Sequence, residues 1–146
     1  MRRSITVKTT GRMMGFTLME LMIVIIVVGL IMSIALPAYQ NAMFKGRRAD
    51  AKEGLMTAAN RQERLMLDRS TYTATMTDLG YANDPLISTE GFYTIDAAAC
   101  AGRTIATCYI LTATPAVGSP QLKDTECASF SLDWTGAKTA TSANCW

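Results

Sequence analysis

The sequence predicts an α+β fold: one long N-terminal α-helix whose C-terminal half packs on a small antiparallel β-sheet. Three patterns point to it. Leu21 to Leu36 runs for sixteen residues without a charge, and a helical reading continues from there to about Arg69. Beyond residue 90, three short stretches rich in β-branched and aromatic residues are separated by turn signals. With 146 residues, the chain has room for one small domain, which by the usual scaling buries roughly two thirds of its unfolded surface.

The chain opens on a basic stretch, with Arg2, Arg3, Lys8 and Arg12 and no acid in residues 1–15. The uncharged run that follows is about 24 Å long as a helix. With Phe16 to Met19 in front of it, it nearly spans a bilayer. The positive-inside rule keeps the basic flank in the cytoplasm and places the rest of the chain outside. Glu20 stands just inside the apolar segment, where a carboxylate costs on the order of 1–3 kcal/mol depending on depth. A plain anchor has no use for that acid. A removable secretory signal fits poorly, because the run exceeds the usual h-region and no clean A-x-A site follows it. Gly29 and Pro37 are the helix's weak points, costing about 1 and 3 kcal/mol relative to good helix formers.

After Pro37, Ala42, Ala49, Met56, Ala59 and Met66 fall near one helix face, with Lys45, Arg48, Lys52 and Arg64 elsewhere. This narrow arc is expected to pack on the sheet, and the helix to end near Asp68 to Thr71. Tyr72 to Gly91 reads as a loop. Strands are expected at 92–98, 104–114 and 129–134, with turns at Gly102, 115–120 and Gly136. Residues 136–146 carry little regular signal. Charge is uneven: residues 39–69 hold seven bases and four acids (+3), and everything after residue 69 holds three bases and seven acids (−4). An acidic head repels a nucleic-acid backbone in general, so DNA affinity would have to come from the basic helix or a local patch.

Histidine is absent, which removes the commonest general base and zinc ligand together. No Gly-rich phosphate loop appears, and no enzymatic activity, cofactor or metal is expected. Asp124, Glu126 and Asp133 are the acids that might be offered to calcium, but solvated surface is the expected reading of them. The four cysteines, Cys100, Cys108, Cys127 and Cys145, include no CxxC pair, so disulfides in an oxidising compartment are expected rather than zinc. Three pairings are possible. Local spacing favours Cys127 with Cys145 and Cys100 with Cys108, each contributing about 2.5–3 kcal/mol by loop entropy.

Residues 15–40, GFTLMELMIVIIVVGLIMSIALPAYQ, resemble the class III signal sequence of type IV pilins and type II secretion pseudopilins. The resemblance implies that a membrane aspartyl prepilin peptidase cuts between Gly15 and Phe16 and N-methylates the new Phe16 amine, keeping the helix. Gly15 lets a protease approach the backbone closely. It also implies a role for Glu20, which would neutralise the Phe16 amine of a neighbouring subunit; four residues apart on a helix, the two groups would lie roughly 6 Å apart axially. Residues 29–37 would loosen on assembly. The implied organisation is a cleaved leader (1–15), a transmembrane and filament-core helix (16–38), its amphipathic half (39–70), and a pilin-roll head (71–146). The segments KDTEC, LDWTG and NCW look like PilE-type minor pilins, and the resemblance supports Cys127 with Cys145, since pilins commonly staple a C-terminal segment to the last strand. The implied partners are other pilin subunits, the peptidase and the inner-membrane assembly machinery. The chain would be a single-pass inner-membrane protein first and part of an extracellular pilus afterwards. Major pilin, minor pilin and tip adhesin or DNA-uptake receptor all remain open. A secretion pseudopilin fits less well, since its major form usually carries calcium and lacks disulfides.

Overall fold

The structure is a computed structural model that describes residues 15–146; Arg2, Arg3, Lys8 and Arg12 of the expected basic leader lie outside the described residues. The chain divides into two compact units, one ending at Tyr39 and the other running from Gln40 to Trp146. Helix α1, Leu18–Arg69, contributes to both. It starts at Thr17, whose side-chain oxygen accepts from the Glu20 backbone N–H at 3.2 Å, satisfying one of the first-turn donors that a helix leaves unpaired. It stops where Ser70 turns left-handed (φ 55°) while its N–H still bonds the Met66 carbonyl at 2.8 Å.

In the first unit, every large apolar side chain from Leu18 to Leu36 is exposed. Mean hydropathy reaches 2.8 over the most apolar window of α1, with none of that window buried.

The second unit holds a five-stranded antiparallel sheet in the order β1-β2-β3-β4-β5. Its strands are β1 (Leu86–Ile87), β2 (Tyr93–Ala99), β3 (Tyr109–Pro115), β4 (Phe130–Asp133) and β5 (Lys138–Ala140). Side chains alternate across a strand, so Tyr93, Ile95 and Ala97, Tyr109, Leu111 and Ala113, and Phe130 and Leu132 all turn into the core. Tyr93 and Phe130 meet edge to face at 5.8 Å, and Phe130 meets Trp146 at 6.0 Å. Ala51, Leu55 and Ala58 of α1 close over this layer. At Gly54 the helix lies so near the sheet that a Cβ would collide with the end of Ile95.

Three expectations are corrected. The buried residues of α1 are Arg48, Asp50, Ala51, Leu55, Ala58 and Gln62, while Ala42, Ala49 and Met56 are exposed and Ala59 and Met66 are half-buried. The packed stripe carries an arginine, an aspartate and a glutamine, and these hid it from a count of apolar residues. The strand expected from Thr104 begins at Tyr109, because residues 100–108 form a tight loop closed by the Cys100–Cys108 bond. The sheet has two further strands, β1 and β5, only two and three residues long; edge strands of that length show no period.

Candidate assembly segment and the locks of the head

Glu20 sits in the first turn of α1 with its backbone N–H on Thr17. The spacing Thr17-x-x-Glu20 is that of a capping box, and only the threonine half is made here. Phe16 lies exposed ahead of the first helical residue. The Thr17 cap, with α1 starting at Leu18, lies between Phe16 and Glu20. Gly15 is exposed with open space about it, as is Gly29. Pro37 lies within α1, which continues past it.

Within the head, buried polar groups tie α1 to the loops. Arg48 donates from Nε and Nη2 to the two oxygens of Asp124 at 2.7 and 2.8 Å, and from Nη2 to Glu126 at 2.9 Å. These are the only ion pairs among the described residues. Hydrogen bonds from Arg48 to Asp124, against the cost of burial, raise the guanidinium pKa further above its ordinary value. Asp124 also accepts from the Cys127 backbone N–H at 3.3 Å. Beside it, the fully buried Gln121 donates to the Tyr93 hydroxyl at 2.7 Å and to the Phe44 carbonyl at 3.4 Å. Asp50 accepts from the Ser88 hydroxyl and from the backbone N–H groups of Glu90 and Phe92, fixing the turn before β2. Gln62 makes both of its amide bonds to the backbone of Thr73, which holds the chain leaving α1. Tyr72 and Tyr109 each donate to the Glu63 carboxylate at 3.2 Å; burial first, then the Glu63 charge, raises both phenol pKa values.

The candidate calcium acids have other duties. Asp124 is only 4 % exposed, not solvated as expected, because Arg48 occupies both of its oxygens. Asp124, Glu126 and Cys127 do lie close together. However, the Cys127 sulfur is bonded to Cys145 and the carboxylates are committed to a guanidinium, a donor set unsuited to a cation. Asp133 closes its own turn, accepting from the Thr135 hydroxyl and from the Thr135 and Ala137 N–H groups. These bonds, the Thr135 hydroxyl foremost, hold its carboxyl below the usual range.

The bonds Cys100–Cys108 and Cys127–Cys145 each join Cα atoms 5.6 Å apart. The first presents Arg103 at 5.5 Å over the Trp134 ring; nearby in sequence, Lys138 lies 5.0 Å over Trp146. Two of the three basic residues after residue 69 thus sit on the chain's two tryptophans. The local sequence does not single out Arg48, Asp50, Gln62, Gln121 and Asp124 for these roles. A polar residue at core spacing is the one signal they leave, and that pattern is indistinguishable from an interrupted stripe.

Compared with known proteins, residues 37–131 match the family described as type IV minor pilin ComP, DNA uptake sequence receptor. The chain is 30 % identical over 68 residues to the type IV major pilin PilA of Myxococcus xanthus, covering 47 % of this chain and 31 % of that protein. It is 47 % identical over 53 residues to a fimbrial protein of Moraxella nonliquefaciens, covering 33 % and 34 % of the two. It is 36 % identical over 74 residues to the type IV major pilin PilE1 of Neisseria gonorrhoeae, covering 49 % and 43 %. The match thus spans less than half the length of each of these relatives. A type IV pilin structure from Shewanella oneidensis superposes with a TM-score of 0.50 at 28 % identity, covering 70 % of this chain and 97 % of that one.

Proposed function

Given that the chain belongs to the type IV pilins, in the family whose model describes the minor pilin ComP, we propose that it is a structural subunit polymerised through α1 into an extracellular pilus. The supporting observation is the wholly exposed apolar half of α1 joined to a disulfide-closed α+β head. A buried aliphatic side chain contributes roughly 1.5–3 kcal/mol, so ten of those between Leu18 and Leu36 outweigh the net stability of a typical domain. Such a segment belongs in a bilayer before assembly and among sister helices after it. On this reading a prepilin peptidase cuts between Gly15 and Phe16 and methylates Phe16, and the inner-membrane machinery then extracts the subunit. Glu20 meets the Phe16 amine of a neighbouring copy, and Gly29 and Pro37 let the helix loosen.

Glu20→Ala tests this reading. Membrane insertion and an N-terminus at Phe16 are expected to persist. Filament yield is expected to fall roughly a hundredfold, because an ammonium left unpaired in an apolar bundle costs about 3 kcal/mol or more. Normal filament yield from this variant contradicts the proposal.

A second reading, DNA-uptake receptor, draws on the family's description and on the pairing of Arg103 and Lys138 with the two tryptophans. The head's overall acidity requires such a local patch. In the intact protein, Arg103→Ala with Lys138→Ala is expected to lower DNA binding and flatten its salt dependence. Binding unchanged by the pair rejects this reading.

A further inference from the structure

The head carries an amphipathic surface where Asn41 to Arg48 begin its helix. The loop after β3 is tied there: Ala116 donates to the Phe92 carbonyl at 2.9 Å, and Gln121 reaches the Phe44 carbonyl and the Tyr93 hydroxyl. Arg47 lies 4.9 Å over the Phe92 ring. The same loop leaves Val117 100 % exposed and Leu122 57 % exposed. A cleft beside it is lined by Lys45, Arg48 and Lys123 together with Asn41 and Thr125. Its two acids, Asp124 and Glu126, both bind Arg48, and with the exposed Lys45 and Lys123 the cleft holds three bases against two acids, a net positive charge of one. Leu122 adjoins Lys123 in the chain, so the loop sets an exposed aliphatic side chain beside a cation.

We propose that this surface docks on the anionic headgroups of a lipid bilayer while the subunit waits in the membrane, with Val117 and Leu122 entering the headgroup boundary and Lys45 and Lys123 meeting lipid phosphates. The proposal rests on the reading of α1 as a membrane anchor. Three considerations favour lipid as the occupant. The strongly apolar run ends at Leu36, only a few residues before Asn41, so the surface is tethered at a high effective concentration against the bilayer, and weak contacts suffice. Aliphatic residues interleaved with lysine are the composition of interfacial membrane binding. The part of the chain after residue 69 is acidic at −4, and Lys123 is one of its three bases. An anionic bilayer therefore repels most of the chain after residue 69 and attracts Lys123 with the basic start of the head's helix, and the opposed signs orient the head.

The test uses the full precursor in vesicles of phosphatidylcholine, with and without phosphatidylglycerol. A fluorophore on Val117→Cys is quenched by a headgroup-attached nitroxide lipid. Resistance to alkaline extraction is scored separately, so that failure of the anchor is distinguishable from failure of docking. Quenching is expected with anionic lipid and should be lost in high salt. In Lys45→Ala with Lys123→Ala the docked population should fall about twentyfold, since each cation near an anionic surface is worth roughly a factor of five. Quenching that ignores lipid charge, that survives the double variant, or that tracks protein density rather than lipid composition, as docking on a second copy would, overturns the proposal. A protein that inserts stably yet shows no quenching overturns it as well.

Discussion

Replacing Arg48 with methionine is expected to destabilise the head by about 3–5 kcal/mol, the cost of stripping one partner from a buried ion pair. Asp124 would then be a carboxylate at 4 % exposure, left with only the Cys127 N–H and a distant amide of Gln121. Glu126 is half exposed on its side chain and can turn to water, so its bond to Arg48 adds little. The measurement is urea unfolding of the full chain in detergent, followed by the fluorescence of Trp134 and Trp146. The double variant Arg48→Met with Asp124→Leu should recover most of the loss, since an apolar pair of similar volume avoids desolvation altogether. If Arg48→Met costs less than about 1 kcal/mol, the pair is not the lock described here. Retained stability with slower assembly would instead place its importance in the filament.

How much of this lock could be read in advance differs by residue. The apolar run from Leu21 to Leu36 and the end of the helix near Arg69 announce themselves, because a helix through lipid must be apolar all round and a helix end needs a cap. The alternation of Phe130, Leu132 and Trp134 likewise marks β4, although Trp134 falls just past the strand. The packed face of α1 is different. Ala51, Leu55 and Ala58 are small or few, and Arg48 and Gln62 complete the stripe, so counting apolar residues favours the neighbouring arc through Ala49 and Met56. Whether Arg48 faces water or Asp124 is decided by contacts 76 residues apart, and no local pattern encodes these. Short edges such as Leu86–Ile87 are legible only once β2 is present to pair with them.

Breaking the Cys127–Cys145 bond by serine at both positions is expected to cost about 3 kcal/mol, from a closed loop of separation 18. Both sulfurs are buried, so the serine hydroxyls gain no solvation to offset the loss. The effect should concentrate after β4. There β5 is three residues long, and Trp146 is held by its ring contact with Phe130 and a 2.7 Å bond to the Thr139 carbonyl. Hydrogen exchange should show residues 137–146 losing protection while β2 and β3 keep theirs. The same bond also bears on the ion pair, because the Cys127 N–H is one of the donors on Asp124. Loosening Cys127 therefore loosens the acceptor that Arg48 grips. Combining the two serines with Arg48→Met should give a loss smaller than the sum of the separate losses by about 0.5 kcal/mol or more, as expected for groups sharing one network. Strict additivity would mean that the staple and the ion pair hold the C-terminal loop to the helix independently, and that Asp124 is positioned by Arg48 alone.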